Sequence, residues 1–176
     1  MLGLAQDRSE VRASRRPKWA REALVRQILI KAGKVTIRAR LLATPTADRI
    51  WDALPIHGAV QTWGKEVYFR TPISHDTEPD ARLVVSKGEI AFWPDGDAIA
   101  IGFGATPISK RGEIRFTSKC NVWAIALDDV DQLKAVYAGE QVSVVESDED
   151  SRAWAKRTPP RSARRSSRQG LDGAGC

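Results

Sequence analysis

Cysteine is scarce in this 176-residue chain: Cys120 and Cys176 form no CxxC pair and give no disulfide framework. Thiols so placed fit a reducing, cytoplasmic setting. Histidine is equally scarce, and His57 and His75 have no Cys or His at ligand spacing, so they read as surface residues and no metal is expected. Asp95 and Asp97 lack the rest of a calcium loop. No apolar run approaches the length of a membrane span, which argues against a membrane partner. The first residues hold Asp7, Glu10 and Glu22 and no uninterrupted apolar stretch, unlike a secretory or transit peptide. There is no Gly-x-Ser-x-Gly and no paired Cys and His, hence no nucleophile, and no catalytic residue is assigned. Gly102 to Pro107 reads G-x-G-x-x-P, without the third glycine of a dinucleotide fingerprint. No cofactor is expected, and no internal repeat recurs at a fixed period.

What the chain does hold is charge, unevenly spread. The net charge is +6, yet residues 1–26 carry +4, residues 27–147 carry −1 and residues 148–176 carry +3. A basic face on a folded domain would point to nucleic acid, whereas basic ends around a neutral centre support solubility and, at most, weak salt-sensitive contacts. Three segments follow: a basic, disordered arm over 1–26, one domain over 27–146 and a disordered Arg/Ser/Pro-rich tail over 147–176. One helical turn over 19–26 is compatible with the arm.

Within the domain, period-2 alternation dominates. Ile28, Ile30 and Ala32, then Val35, Ile37, Ala39 and Leu41, flank Gly33-Lys34, which predicts a hairpin with a type II′ turn. Thr44 and Pro45 then open a helix whose Ala47, Ile50, Trp51 and Leu54 share one face and which Pro55 stops. Strands are expected over 59–62, 66–70, 90–93, 98–103 and 121–127, with residues 113–116 a further edge. Residues 71–80 read as a polar loop, and Pro94-Asp95-Gly96-Asp97 as a turn. Asp128-Asp129 begins a second short helix through Tyr137, and residues 141–145 close the sheet. On strand 98–103 the small residues Ala98, Ala100 and Gly102 oppose Ile99, Ile101 and Phe103, so one face invites close approach and the other fills a core.

Candidate ligand contacts come from three places. Glu66 and Tyr68 share a strand face, where they either meet a polar ligand group in a barrel mouth or face solvent. Trp63, Trp93 and Phe103, with Phe92, either wall an apolar pocket or pack as barrel core. Thr106 and Ser109 follow a Gly-Phe-Gly strand end, where they offer hydroxyls to a ligand or form an ordinary turn.

Four ordered segments carry a family resemblance: Leu41-Leu42-Ala43-Thr44-Pro45-Thr46-Ala47, Trp63-Gly64-Lys65-Glu66-Val67-Tyr68-Phe69, Gly88-Glu89-Ile90-Ala91-Phe92-Trp93-Pro94 and Phe103-Gly104-Ala105-Thr106-Pro107-Ile108-Ser109. Over residues 27–146 the chain resembles the cyclophilin-like domain family of bacteria and archaea. The resemblance implies a mainly β fold, a closed eight-stranded barrel capped by two short helices, related to the peptidyl-prolyl isomerase cyclophilins. True cyclophilins carry Phe-His-Arg and then Gln-Gly-Gly-Asp-Phe after the first helix. Here the region reads Gln61-Thr62-Trp63-Gly64-Lys65-Glu66-Val67-Tyr68-Phe69, with no arginine before Arg70. The first functional expectation is therefore binding of a small molecule or an extended peptide in an aromatic-walled pocket. The second is a divergent isomerase, and the third is weak nucleic-acid association through the basic ends.

Overall fold

The computed structural model describes residues 26–147, so the basic arm, the helical turn expected over 19–26, the tail and the nucleic-acid reading that rests on them lie outside the described residues. Ten antiparallel strands are present: β1 (Gln27–Ala32), β2 (Val35–Leu41), β3 (Ile56–Ala59), β4 (Gln61–Thr62), β5 (Glu66–Arg70), β6 (Arg82–Val85), β7 (Glu89–Trp93), β8 (Ala98–Gly102), β9 (Ile114–Ala126) and β10 (Gln141–Glu146). Nine form one path, β3-β10-β1-β2-β9-β7-β8-β5-β4, and β6 joins through β9 alone. The ends of that path, β3 and β4, are two halves of one strand broken at Val60, whose N–H donates to Glu140 and whose carbonyl accepts from Gly139. Counted as one strand, they make a nearly closed barrel with eight staves, and β6 is an addition outside it.

Local chemistry explains the first elements. Gly33 has φ +54°, and Lys34 is not among the residues with positive φ, which excludes a type I′ turn and leaves the expected II′ geometry. Every second residue of β2 is buried, so its other face is wet. Helix α1 (Pro45–Asp52) is capped by the Thr44 hydroxyl, which accepts from the Ala47 N–H at 3.2 Å. It ends at Asp52, two residues before the expected stop, where the Ala53 and Leu54 N–H groups reach back only three residues, to the Ile50 and Trp51 carbonyls.

The main core fills the barrel. Ile28, Ile30, Ile37, Ile50, Phe69, Phe92, Ile99, Ile101 and Trp123 are fully buried in it. Each such side chain contributes about 1.5–3 kcal/mol of burial. A second, smaller cluster lies on the outer side of the β5-β8-β7 wall and comprises Val85, Ala91, Ala100, Ile114, Phe116, Cys120 and Val122, with Tyr68 and Trp93 packed against it. Alternation sorts the two: Val67, Phe69, Ile90, Phe92, Ile99 and Ile101 point inward, and Tyr68, Ala91, Trp93 and Ala100 point outward.

Strand β9 builds that outer layer. The edge expected over 113–116 and the strand expected over 121–127 are parts of this one 13-residue strand. Its C-terminal half pairs with β2 and β7 in the barrel, and its N-terminal half pairs with β6. A register shift sets Ile90 opposite Ala124 but Ala91 opposite Val122, so Trp123 is an extra, bulged residue. The bulge bends the strand away from the wall, and the small face of β8 receives it: a Cβ on Gly102 would stand 2.3 Å from the Ile114 side chain. The second expected helix is a 3-10 helix over Val130–Ala135, opened by the Asp129 carboxylate accepting from the Asp131 N–H at 2.9 Å. Beside it, Arg38 grips Asp128 through its side chain and its backbone N–H, and this holds the Asp128 carboxyl below its usual range.

Candidate functional site

Between the outward face of β5-β8-β7 and the overhanging half of β9 lies a cavity of about 250 Å³, lined by Trp63, Glu66, Tyr68, Trp93, Ala100, Phe116, Thr117 and Cys120. Each element supplies its part for a local reason. Glu66 and Tyr68 alternate outward on β5, while Val67 and Phe69 go to the barrel core. Ala100 is the small residue of β8 that leaves room above the wall. Phe116 and Cys120 come from the strand that roofs it. The site is on the outer wall, not in the barrel mouth, because the barrel interior is filled by its own side chains.

The aromatic walls are held in place. Tyr68 and Trp93 meet edge to face at 6.4 Å with an interplanar angle of 83°. The Trp93 indole N–H donates to the Ser118 hydroxyl at 2.7 Å, which ties the β7 wall to the β9 roof. Cys120 is buried, its thiol donates weakly to the Ser118 carbonyl at 3.5 Å, and burial pushes its pKa up to about 12. Glu66 is different. It is only 8% exposed, and its carboxylate has no hydrogen-bond or ion-pair partner among the described residues. Burial alone raises its pKa to about 7.

Of the seven residues singled out from the sequence, the structure brings Trp63, Glu66, Tyr68 and Trp93 to this cavity. Phe103 packs against the main core instead. Thr106 is buried and its hydroxyl donates to the Arg115 carbonyl at 2.5 Å, while Ser109 accepts from the Thr106 and Arg115 backbone N–H groups. Those two hydroxyls stitch the 105–109 loop to β9 and do not line the cavity. The same loop braces the turn before β5: the Lys65 N–H donates to the Ala105 carbonyl, and the Phe103 N–H to the Lys65 carbonyl. Phe116, Thr117 and Cys120 had no sequence signal as site residues, and Ala100 had one, the small face of its strand.

The profile of the cyclophilin-like family matches residues 26–145. The chain belongs to the cyclophilin-like family. A solved relative is a hypothetical protein from Archaeoglobus fulgidus, 32% identical, with a TM-score of 0.61 over 70% of this chain and 96% of that one. McbB, solved in complex with tryptophan, shares the fold at 15% identity, with a TM-score of 0.55 over 70% of this chain and 45% of McbB. No curated protein matches. The lining of the cavity includes no arginine. Arg70, the arginine nearest the Trp63–Phe69 segment, is exposed at the end of β5. Among the described residues no group of three or more His, Cys, Asp or Glu is placed to hold a metal, and no helix is long and apolar enough to cross a membrane.

Proposed function

We propose that this cyclophilin-like domain binds a small, flat, mainly apolar molecule in the outer-wall cavity. The observation that supports it is the cavity itself: about 250 Å³ walled by Trp63, Tyr68, Trp93 and Phe116. That volume is somewhat below the ~300–1,000 Å³ of drug-sized pockets and suits a molecule of one or two rings. An extended peptide, which the sequence leaves equally open, would lie mostly outside it.

Binding of 2-phenylethanol, read by tryptophan fluorescence and by chemical-shift changes, tests the reading. Saturable binding that disappears in Ala100→Leu, which fills the cavity floor, supports it. No binding at millimolar concentration, or binding unchanged in Ala100→Leu, refutes it. The isomerase reading stands second, because the proline-polarising arginine has no counterpart among the lining residues. Proline-peptide isomerisation above the buffer rate, lost in Ala100→Leu, would promote it to first.

A further inference from the structure

Among the polar groups lining the cavity, the Glu66 carboxylate, the Tyr68 hydroxyl and the Trp63 indole N–H have no hydrogen-bond partner among the described residues, and Glu66 is the one carboxylate of the three. The Trp93 N–H is committed to Ser118 and the Cys120 thiol to the Ser118 carbonyl. Thr117 is exposed at the margin. Glu66 as a residue is 8% exposed, and its carboxylate lines the cavity without a partner among the described residues. Burial disfavours the charge of such a carboxylate unless something pairs with it. No lysine or arginine lines the cavity to do so.

Resting on the small-molecule reading above, we propose that the ligand is an aromatic amine, its ring against Tyr68, Trp93 and Phe116 and its protonated nitrogen on the Glu66 carboxylate. The surroundings favour a cation over other donors in two ways. Aromatic faces attract positive charge through their quadrupoles, most strongly where water is excluded. The charges acting on the roof are also negative: Asp95, on the 3-10 turn after β7, and Glu66 itself act electrostatically on Cys120, while Lys65 and Lys119, the chain neighbours of Glu66 and Cys120, are exposed. The titratable groups facing Glu66 are the Tyr68 hydroxyl on its own strand and the Cys120 thiol on β9. The stem of Lys65, its chain neighbour, packs along Gly104, whose added Cβ would stand 2.4 Å from Lys65 Cδ.

A cation on Glu66 requires the ionised carboxyl, whose pKa of about 7 makes binding proton-linked. Ionisation rises from roughly a tenth at pH 6 to roughly nine-tenths at pH 8, so amine affinity rises about tenfold over that interval. The test is calorimetric titration of the full chain with 2-phenylethylamine, 2-phenylethanol and 3-phenylpropionate at pH 6 and pH 8. The expected result is an amine bound at least tenfold tighter than the propionate at pH 8, with the tenfold pH gain confined to the amine. In Glu66→Gln the gain and the preference both vanish, while the alcohol still binds. Because the pH comparison runs on the unaltered chain, a poorly folded variant does not remove the test. If alcohol, propionate and amine bind alike, or if the propionate is preferred at pH 6, where a protonated Glu66 donates to it, the amine assignment is overturned and the cavity reading survives. If none of the three binds, or if their binding persists in Ala100→Leu, both fall.

Discussion

Replacing Glu66 by glutamine should change how stability depends on pH far more than it changes stability itself. The carboxyl titrates at about 7 in the folded chain against 4.5 for an unperturbed glutamate, and burial is the cause. Folding therefore favours the protonated form. The stabilising share of proton binding is fully present below the unfolded value and is lost as pH rises through 7. A shift of this size corresponds to about 3 kcal/mol in full, at about 1.4 kcal/mol per unit. Between pH 5 and pH 9 roughly 2.5 kcal/mol of it is spent, since some protons still bind the unfolded chain at pH 5. Glutamine has the same shape and no charge to desolvate. The double difference in urea unfolding free energy, Glu66→Gln minus the native sequence at pH 9 and again at pH 5, should come to about +2 to +3 kcal/mol in favour of the variant at pH 9. Parallel curves for the two proteins from pH 5 to pH 9 would refute the reasoning, because they would mean that water or a neighbour already compensates the charge.

Further outcomes are expected elsewhere. Gly64→Ala places a Cβ 2.9 Å from Pro107 Cδ and 3.0 Å from the Ala105 carbonyl at φ +60°, whereas Gly112→Ala at φ +74° meets nothing within 4 Å. The first should cost about 2–4 kcal/mol and the second about 1–2 kcal/mol, read by thermal or urea unfolding, and equal losses would contradict the packing of the 105–107 loop on this turn. Asn121→Ala strips the amide that donates to Thr46 and to the Asp76 carbonyl and accepts from the Glu78 N–H. Leaving those groups unpaired in a buried place should cost about 2–4 kcal/mol, and a loss under ~0.5 kcal/mol would mean that water replaces the amide. Cys120, buried and with its pKa near 12, should resist iodoacetamide in the native chain at pH 8 and react in urea, as peptide mass spectrometry would report.

Much of the barrel could be read from the chain because its alternation is local. β1 and β2 announce themselves through seven alternating apolar positions and a glycine turn, and the cap of α1 through Thr44 and Pro45. β6 escaped because Arg82–Val85 is only four residues long, follows a proline-bearing loop and pairs with β9 alone. β9 looked like two pieces because Thr117, Ser118 and Lys119 interrupt its apolar pattern. They are polar because the strand has left the barrel wall there. The cavity was half legible for the same reason. A shared strand face set Glu66 and Tyr68 together, but the roof that buries them comes from residues about fifty positions away. Conversely, the hydroxyls of Thr106 and Ser109 looked available to a ligand because sequence cannot show that Arg115 has already taken them.

The break at Val60 has a topological consequence. Gln27 and Ser147 meet through a 2.9 Å hydrogen bond between the outer ends of β1 and β10, so the described chain starts and finishes at one spot on the ring. Severing the peptide between Gly33 and Lys34 would leave every stave beside both of its neighbours. Severing it at Val60 would cut the stave that closes the ring, because β3 pairs with β10 and β4 with β5, and β3 meets β5 by packing, a Cβ on Gly58 standing 3.2 Å from the Arg70 carbonyl, without a strand ladder. The seam would then rest on packing alone, leaving two unpaired strand edges there that invite pairing with other molecules. Circular permutants opened at 33–34 should then be monodisperse, and those opened at 60 should associate.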